Sequence, residues 1–146
     1  MSWESSRRRH QVVHAVLADI TATGRTCVSG ELAARVAAEF GDFDGLLREV
    51  QLRWYRAFDA RLDALLEDWP PDIDAALTAL WRDLSAAMPG ARFLLDAHAG
   101  RPALTDLDAH HRRTLHAATG VHAVRLPRPP PRRRRCRWLV ARPSTA

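Results

Sequence analysis

The sequence predicts an all-α fold, a single helical domain of about six helices arranged around one long central helix. Apolar residues recur at steps of three and four through most of residues 5–119, the spacing of an amphipathic helix. Gly and Pro residues divide the pattern at helix-sized intervals. No stretch bounded by turn residues alternates apolar and polar side chains, as a half-buried strand would.

The longest uninterrupted pattern runs from Phe40 to Asp68 and predicts the central helix. A stripe this long and aromatic has to be covered, so we expect the other helices to pack around it. Its large apolar residues are Phe43, Leu46, Leu47, Val50, Trp54, Phe58, Leu62, Leu65 and Leu66.

Turn and capping residues place the other helices. The predicted helices are residues 5–22, 29–40, 72–88, a short helix around residues 93–95, and 103–119. Ser5 or Ser6 is the expected N-cap of the first helix, and Asp42 or Asp44 that of the central helix. Asp72 is the expected N-cap of the helix that follows. We expect Pro89 and Gly90 to end the helix that begins after Asp72.

The charge is divided unequally along the chain. Residues 1–124 hold 14 Arg and all 17 acidic residues, for a net charge of −3, whereas residues 125–146 hold 8 Arg and no acid. We therefore predict two parts, a helical domain over 1–124 and a disordered Pro/Arg-rich tail over 125–146. The tail is a candidate for binding nucleic acid or an anionic membrane surface, or for an extension without selected function.

Runs of arginine are the candidate nucleic-acid contacts. Guanidinium groups bind phosphates without reading sequence, so any DNA contact is expected to be nonspecific and sensitive to salt. The candidate residues are Arg7, Arg8, Arg9, Arg132, Arg133, Arg134, Arg135 and Arg137.

Metal, cofactor and catalytic motifs do not appear in the sequence. Cys27 and Cys136 form no CxxC or Cys/His ligand spacing, and both are expected to be free thiols. The sequence has no P-loop, nucleophile elbow or dinucleotide fingerprint. We therefore expect a protein that is not an enzyme and has no cofactor. No apolar run is long enough to span a membrane, and the expected location is cytoplasmic.

The chain resembles the TetR family of bacterial regulators over residues 8–120. The matching segments are the helix VVHAVLADITATG, ELAARVA after Ser29, FGDFDGLLREV leading into the long helix, and PGARFLLDAH followed by DAHHRRTLHAA. The resemblance implies an all-α transcriptional regulator that binds DNA and a small ligand.

Two departures affect what the resemblance implies. ELAARVA passes almost directly into AEFGD, so the helix with which the family reads the major groove has no counterpart, and Phe43 stands where the family normally has Lys. The family's long C-terminal dimerisation helices are also absent. No base-contacting residue can be transferred to this chain.

The resemblance places a candidate pocket for a small apolar ligand between the long helix and its neighbours. Such a pocket combines apolar walls with a few polar groups. The candidate lining residues are Trp54, Phe58, Trp81, Phe93 and His111, and the alternative is that they are simply core.

Two functions follow from the sequence. The first is a TetR-like regulatory protein, either a DNA-binding transcriptional regulator or a ligand-sensing module. The alternative is a non-enzymatic helical-bundle interaction protein that binds a partner or forms a homodimer and has no specific DNA binding.

Overall fold

Six α-helices make up residues 2–121, the part of the chain that the computed structural model describes. They confirm the predicted fold class and the predicted number of helices, and the described residues contain no strand. The predicted tail and Cys136 lie outside the described residues. The helices are α1 Trp3–Thr23, α2 Gly30–Phe40, α3 Phe43–Glu67, α4 Ile73–Ala87, α5 Pro89–Ala97 and α6 Pro102–Thr119.

Side-chain caps begin two of the helices where the sequence predicts them. Asp42 starts α3, where its side chain accepts a hydrogen bond from the Gly45 amide at 2.7 Å. Asp72 starts α4, where its side chain accepts a hydrogen bond from the Ala75 amide at 2.9 Å. Helix α1 begins earlier than predicted because Ser2, rather than Ser5 or Ser6, is its N-cap.

Pro89 begins a helix instead of only ending one. The sequence predicts that Pro89 and Gly90 end the preceding helix, but Pro89 occupies the first turn of α5. Proline suits this position because the first helical amides have no partner within the helix and its φ angle is already helical. The connection between α4 and α5 therefore shrinks to Met88.

Helix α3 is the centre of the fold, in agreement with the prediction. It packs against α2, α4, α5 and α6, whereas α1 packs against α2 and α5. The predicted stripe is buried from Phe43 to Leu62. Leu65 and Leu66 are only partly buried, so the last turns of α3 carry apolar surface that the described residues do not fully cover.

Gly90 allows α5 to lie directly against α1. A Cβ atom at this position would come within 2.4 Å of the Leu17 carbonyl oxygen and 2.7 Å of Thr21 Oγ1. Because the first of these atoms belongs to the backbone, a larger residue would force the two helices apart.

Only Gly41 and Asp42 separate α2 from α3. Gly41 has φ of +81°, a left-handed conformation that glycine adopts without strain. The turn is tight, because a Cβ atom on Gly45 would lie 2.4 Å from the Phe40 carbonyl oxygen. Residues 24–47 therefore contain a single complete helix, α2, before α3 starts.

Candidate functional site

The middle turns of α3 carry two different groups of side chains, on adjacent parts of its buried face. Gln51 and Tyr55 are separated by four residues and share the side that meets α6. Trp54 and Phe58 have the same separation and contact Trp81 of α4. We call Gln51, Tyr55, Asp108 and His111 the polar network, and Trp54, Phe58 and Trp81 the aromatic cluster.

One carboxylate oxygen organises the polar network. Tyr55 Oη donates a hydrogen bond to Asp108 Oδ1, and Gln51 Nε2 donates to the same oxygen at 2.6 Å. Gln51 Nε2 also donates to the Leu104 carbonyl oxygen at 3.2 Å. Because hydrogen bonds depend on direction, these three contacts define how α6 is rotated and positioned on α3.

Tyr55 is held in its protonated, donating form. Burial is the main cause that raises the pKa of Tyr55 far above its usual value of 10, and the hydrogen bond and negative charge of Asp108 act in the same direction. The phenol therefore remains a donor throughout the physiological pH range. It is not a base that could take a proton from a substrate.

His111 joins the polar network to the aromatic cluster. His111 is only 8% exposed. Its ring stacks on the ring of Tyr55, with the centroids 3.9 Å apart and the planes inclined by 13°. The edge of Phe58 meets the same ring at 5.0 Å and 86°. The imidazole is therefore enclosed by aromatic rings on two sides.

Burial keeps the His111 imidazole neutral. It lowers the pKa of His111 below 6.5, while the nearby carboxylates of Asp59 and Asp108 oppose the shift. His111 Nδ1 lies 3.7 Å from Asp59 Oδ1, which is too long for a hydrogen bond. This pair becomes an ion pair only when the imidazole takes up a proton.

The Arg92 guanidinium lies over the two tryptophan rings of the aromatic cluster. Trp81 meets Trp54 edge to face at 5.3 Å and Phe58 at 5.9 Å. The Arg92 guanidinium lies 4.8 Å from the Trp54 ring centroid and 5.0 Å from that of Trp81, within range of a cation–π interaction. Arg92 is also paired with Asp96 at 2.6 Å, so its charge is balanced.

Four buried side-chain polar atoms lack a hydrogen-bond partner among the described residues, and two of them belong to residues that are almost fully buried. These two are Gln51 Oε1 and Trp54 Nε1, which belong to residues that are 3% and 0% exposed. A buried donor or acceptor without a partner is costly and uncommon in native structures. The two residues are three positions apart on α3 and therefore near one another on its surface.

The structure brings together four of the five predicted pocket residues. Trp54, Phe58, Trp81 and His111 are in contact as described, and the first two are fully buried. Phe93 is 52% exposed and is not part of the group. Phe93 immediately precedes the buried Leu94 on α5. Because successive residues of a helix are rotated by about 100°, Phe93 lies on a different side of α5 from the buried Ala91 and Leu94.

A surface groove of about 580 Å³ lies elsewhere, between α3 and α4. We call it the α3–α4 groove. It is open to solvent, and none of its lining residues belongs to the predicted pocket. The lining residues are Arg61, Leu65, Ala76, Ala79, Leu80 and Asp83.

The candidate nucleic-acid contacts are described only at the N-terminus. Arg7 is exposed, Arg8 Nε lies 2.9 Å from Glu39 Oε1 of α2, and the Arg9 guanidinium lies 5.4 Å from the Phe40 ring centroid. Two of these three arginines are thus engaged within the domain. The other candidates, Arg132–Arg135 and Arg137, lie outside the described residues.

Sequence reasoning missed most of the polar network. Gln51 was detectable as a polar residue inside the apolar stripe, next to Val50 and three positions before Trp54. Asp108 lies three positions before His111, so the two share a helical face. Their pairing across helices depends on the position of α6, which no local pattern specifies.

Several general findings concern the chemistry of residues 2–121. They contain no group of three or more His, Cys, Asp or Glu side chains placed to hold a metal ion. None of their helices combines the length and apolar character needed to cross a membrane. Cys27 is disulfide-bonded, so the expectation of a free thiol is wrong for this residue.

No protein-family model, curated protein or solved structure matches the chain.

Proposed function

We propose that this chain is a non-enzymatic helical interaction protein that acts by binding a protein through its helical surface. The observation that carries the proposal is the apolar surface left at the far end of α3. Trp69, just after α3, is 57% exposed, and the neighbouring α3–α4 groove has Leu65 and Leu80 in its wall. Large exposed aromatic side chains beside apolar grooves are typical of protein–protein contacts.

The burial and packing of the aromatic residues support this proposal over a ligand pocket. Trp54 and Phe58 are fully buried and pack on Trp81, so they contribute to the core. Arg92, which covers the two tryptophans, is itself paired with Asp96. A small-ligand site requires a concave apolar space, and the α3–α4 groove is lined by none of these aromatic residues.

The connection between α2 and α3 weighs against sequence-specific DNA binding. Reading of the major groove by helix-turn-helix proteins uses a second helix that presents side chains to base edges. In this chain α2 is followed after two residues by the central helix, whose first turns bury Phe43, Leu46 and Leu47 in the core. Contacts through Arg7 would be limited to phosphates.

The polar network supports the non-enzymatic part of the proposal. The Asp108 carboxylate accepts hydrogen bonds from Gln51 and Tyr55, and Tyr55 is held protonated. A general acid or base has to reach a substrate and has to change protonation near the working pH. These groups instead connect α3 to α6.

A second candidate is the TetR-like regulator that senses a small ligand. The buried Gln51 Oε1 and Trp54 Nε1 favour it, because a ligand with one donor and one acceptor would satisfy both atoms. A sequence-selective shift of DNA at about 0.15 M salt would support this candidate over the first.

A cytoplasmic location, expected from the sequence, stays a prediction. Fractionation of cells that express the tagged chain tests the location.

Site-specific photo-crosslinking in cells tests the interaction function. A photoreactive amino acid replaces Trp69, which lies at the proposed surface, or Ala18, which is exposed on α1 and serves as the matched control. We expect protein adducts of defined mass from position 69 and none above background from position 18. Equal adduct yields at the two positions, or no adducts at either, would contradict the proposal.

A further inference from the structure

The α3–α4 groove has two walls of different charge. Arg61 and Leu65 are four residues apart on α3 and form one wall. The other wall is formed by residues of α4 that lie on a single helical face, and the last of them is Asp83. The α4 residues are Ala76, Ala79, Leu80 and Asp83.

The shape of the groove suits a helix better than a small molecule. Its volume of about 580 Å³ is within the range of ligand pockets, but such pockets bury most of their ligand, whereas this groove is open. Ala76 and Ala79 give its floor little side-chain bulk. Small residues at a helix surface allow a second helix to approach closely, with axes roughly 8–10 Å apart.

The two charges of the groove lie at the same end. Helices α3 and α4 are joined by residues 68–72, so they run in opposite directions. Arg61 precedes Leu65 and Asp83 follows Ala76, which places both charges away from the connection. Both residues are exposed, and neither takes part in an ion pair within the described part of the chain.

A second copy of the chain complements this arrangement. A two-fold axis along the groove would place α3 of one copy opposite α4 of the other, at the same height. Leu65 of each copy would then lie level with Ala76 of the opposite α4, and Arg61 would lie about one helical turn from Asp83 of the other copy, within reach of its long side chain. A different protein would need its own acid and base at matching positions, whereas a second copy supplies both.

We infer that the chain forms a two-fold homodimer in which the α3–α4 grooves of two copies pack face to face. The interface is a four-helix arrangement, with one ion pair between Arg61 and Asp83 on each side of the axis. The exposed Trp69 lies at the end of the groove nearest the helix connection. This inference rests on the proposed interaction function and names its partner.

Charge exchange between the two walls tests the homodimer. The full chain and the variants Arg61→Glu and Asp83→Arg are compared by sedimentation velocity from low micromolar to near-millimolar concentration. We expect the wild type to dimerise and each variant alone to dimerise about tenfold or more weakly, because like charges then face each other. An equimolar mixture of the two variants should recover the association, since both contacts in the mixed dimer join opposite charges.

The control variants are Arg48→Glu and Asp19→Arg, which make the same charge changes at exposed positions of α3 and α1. They should dimerise like the wild type. Circular dichroism verifies the helix content, and Ala79→Arg, an exposed groove position, provides a second test if either charge variant loses helix. Here too we expect weaker dimerisation.

Three results would overturn the homodimer: a wild type that stays monomeric at every concentration, charge variants that associate like the wild type, or a mixture that does not recover association. These results are distinguishable from failure of the proposed function. A monomeric chain whose position 69 still crosslinks to a different protein retains the interaction function and loses only the self-association.

Discussion

The two sides of the middle of α3 are stabilised by different chemistry. On the α4 side, Trp54 and Phe58 pack edge to face on Trp81. On the α6 side, Gln51 and Tyr55 share one carboxylate oxygen of Asp108. The aromatic side gains free energy in proportion to the apolar area that it buries, without strict geometry.

The polar side gains less free energy but constrains the geometry more. A hydrogen bond that replaces hydrogen bonds to water contributes only about 0.5–1.5 kcal/mol, whereas loss of one partner leaves a buried group that costs about 1–3 kcal/mol. We infer that the aromatic cluster supplies stability and that the polar network specifies how α6 sits on α3. The four predictions below test this division, from the largest expected effect to the smallest.

Removal of the central indole should give the largest effect. Trp54→Ala should lower the free energy of unfolding by about 3–5 kcal/mol, because a fully buried ring is lost and a cavity remains. Trp3→Ala is the matched control: the residue is 77% exposed and lies outside the proposed interface, and its replacement should change stability by no more than about 0.5 kcal/mol. Urea unfolding at low micromolar concentration measures both values, and similar losses in the two variants would contradict the assignment of Trp54 to the core.

Removal of the shared carboxylate should cost less. Asp108→Ala leaves the Tyr55 hydroxyl without its acceptor and removes one of the two acceptors of Gln51 Nε2, with an expected loss of about 1–3 kcal/mol. The control is Asp106→Ala, an exposed position on the same helix, where we expect a change within about 0.5 kcal/mol. Thermal or urea unfolding provides the comparison. An Asp108→Ala variant as stable as the control would show that the polar network contributes nothing.

The sequence predicts the aromatic side of this comparison better than the polar side. Phe43 to Leu62 follow the 3.6-residue period, and burial of large apolar residues depends mainly on that period. Capping by Asp42 and Asp72 was equally predictable, because the donor amides lie only three residues away along the chain. These features depend on local spacing alone.

The polar network depends on information that local spacing does not contain. Gln51 and Asp108 are 57 positions apart, and their hydrogen bond requires a particular rotation of α6 on α3. Phe93 also shows that residue type alone does not predict burial. Its aromatic side chain is typical of a pocket, but α5 turns Ala91, Leu94 and Leu95 inward and leaves Phe93 exposed.

Loss of a single hydroxyl should have a smaller effect than loss of the carboxylate. Tyr55→Phe keeps the ring that stacks on His111 and removes only the hydrogen bond to Asp108, whose carboxylate still accepts from Gln51. We expect a loss of about 0.5–1.5 kcal/mol. A double-mutant cycle with Asp108→Ala measures the coupling, and additive losses would show that the two side chains do not act through their hydrogen bond.

The smallest of the four effects should be the contribution of His111, on the polar side, to the pH dependence of stability. Burial lowers the pKa of His111 in the folded state, so the unfolded chain takes up a proton more readily. Stability should therefore be complete above pH 6.5 and decline as the pH falls below that value. The decline should be modest, because Asp59 and Asp108 stabilise the charged imidazole and oppose the effect of burial.

Comparison with His111→Phe isolates this contribution. The pKa of His98 is also lowered by burial, so the wild type and the variant share its contribution, and their difference belongs to His111. Urea unfolding from about pH 7.5 to about pH 5 should show a smaller loss of stability for His111→Phe than for the wild type. Trp81→Phe, a change confined to the aromatic cluster, should keep the pH dependence of the wild type. Equal pH dependence in the wild type and His111→Phe would mean that the imidazole is not protected from protonation by the rings of Tyr55 and Phe58.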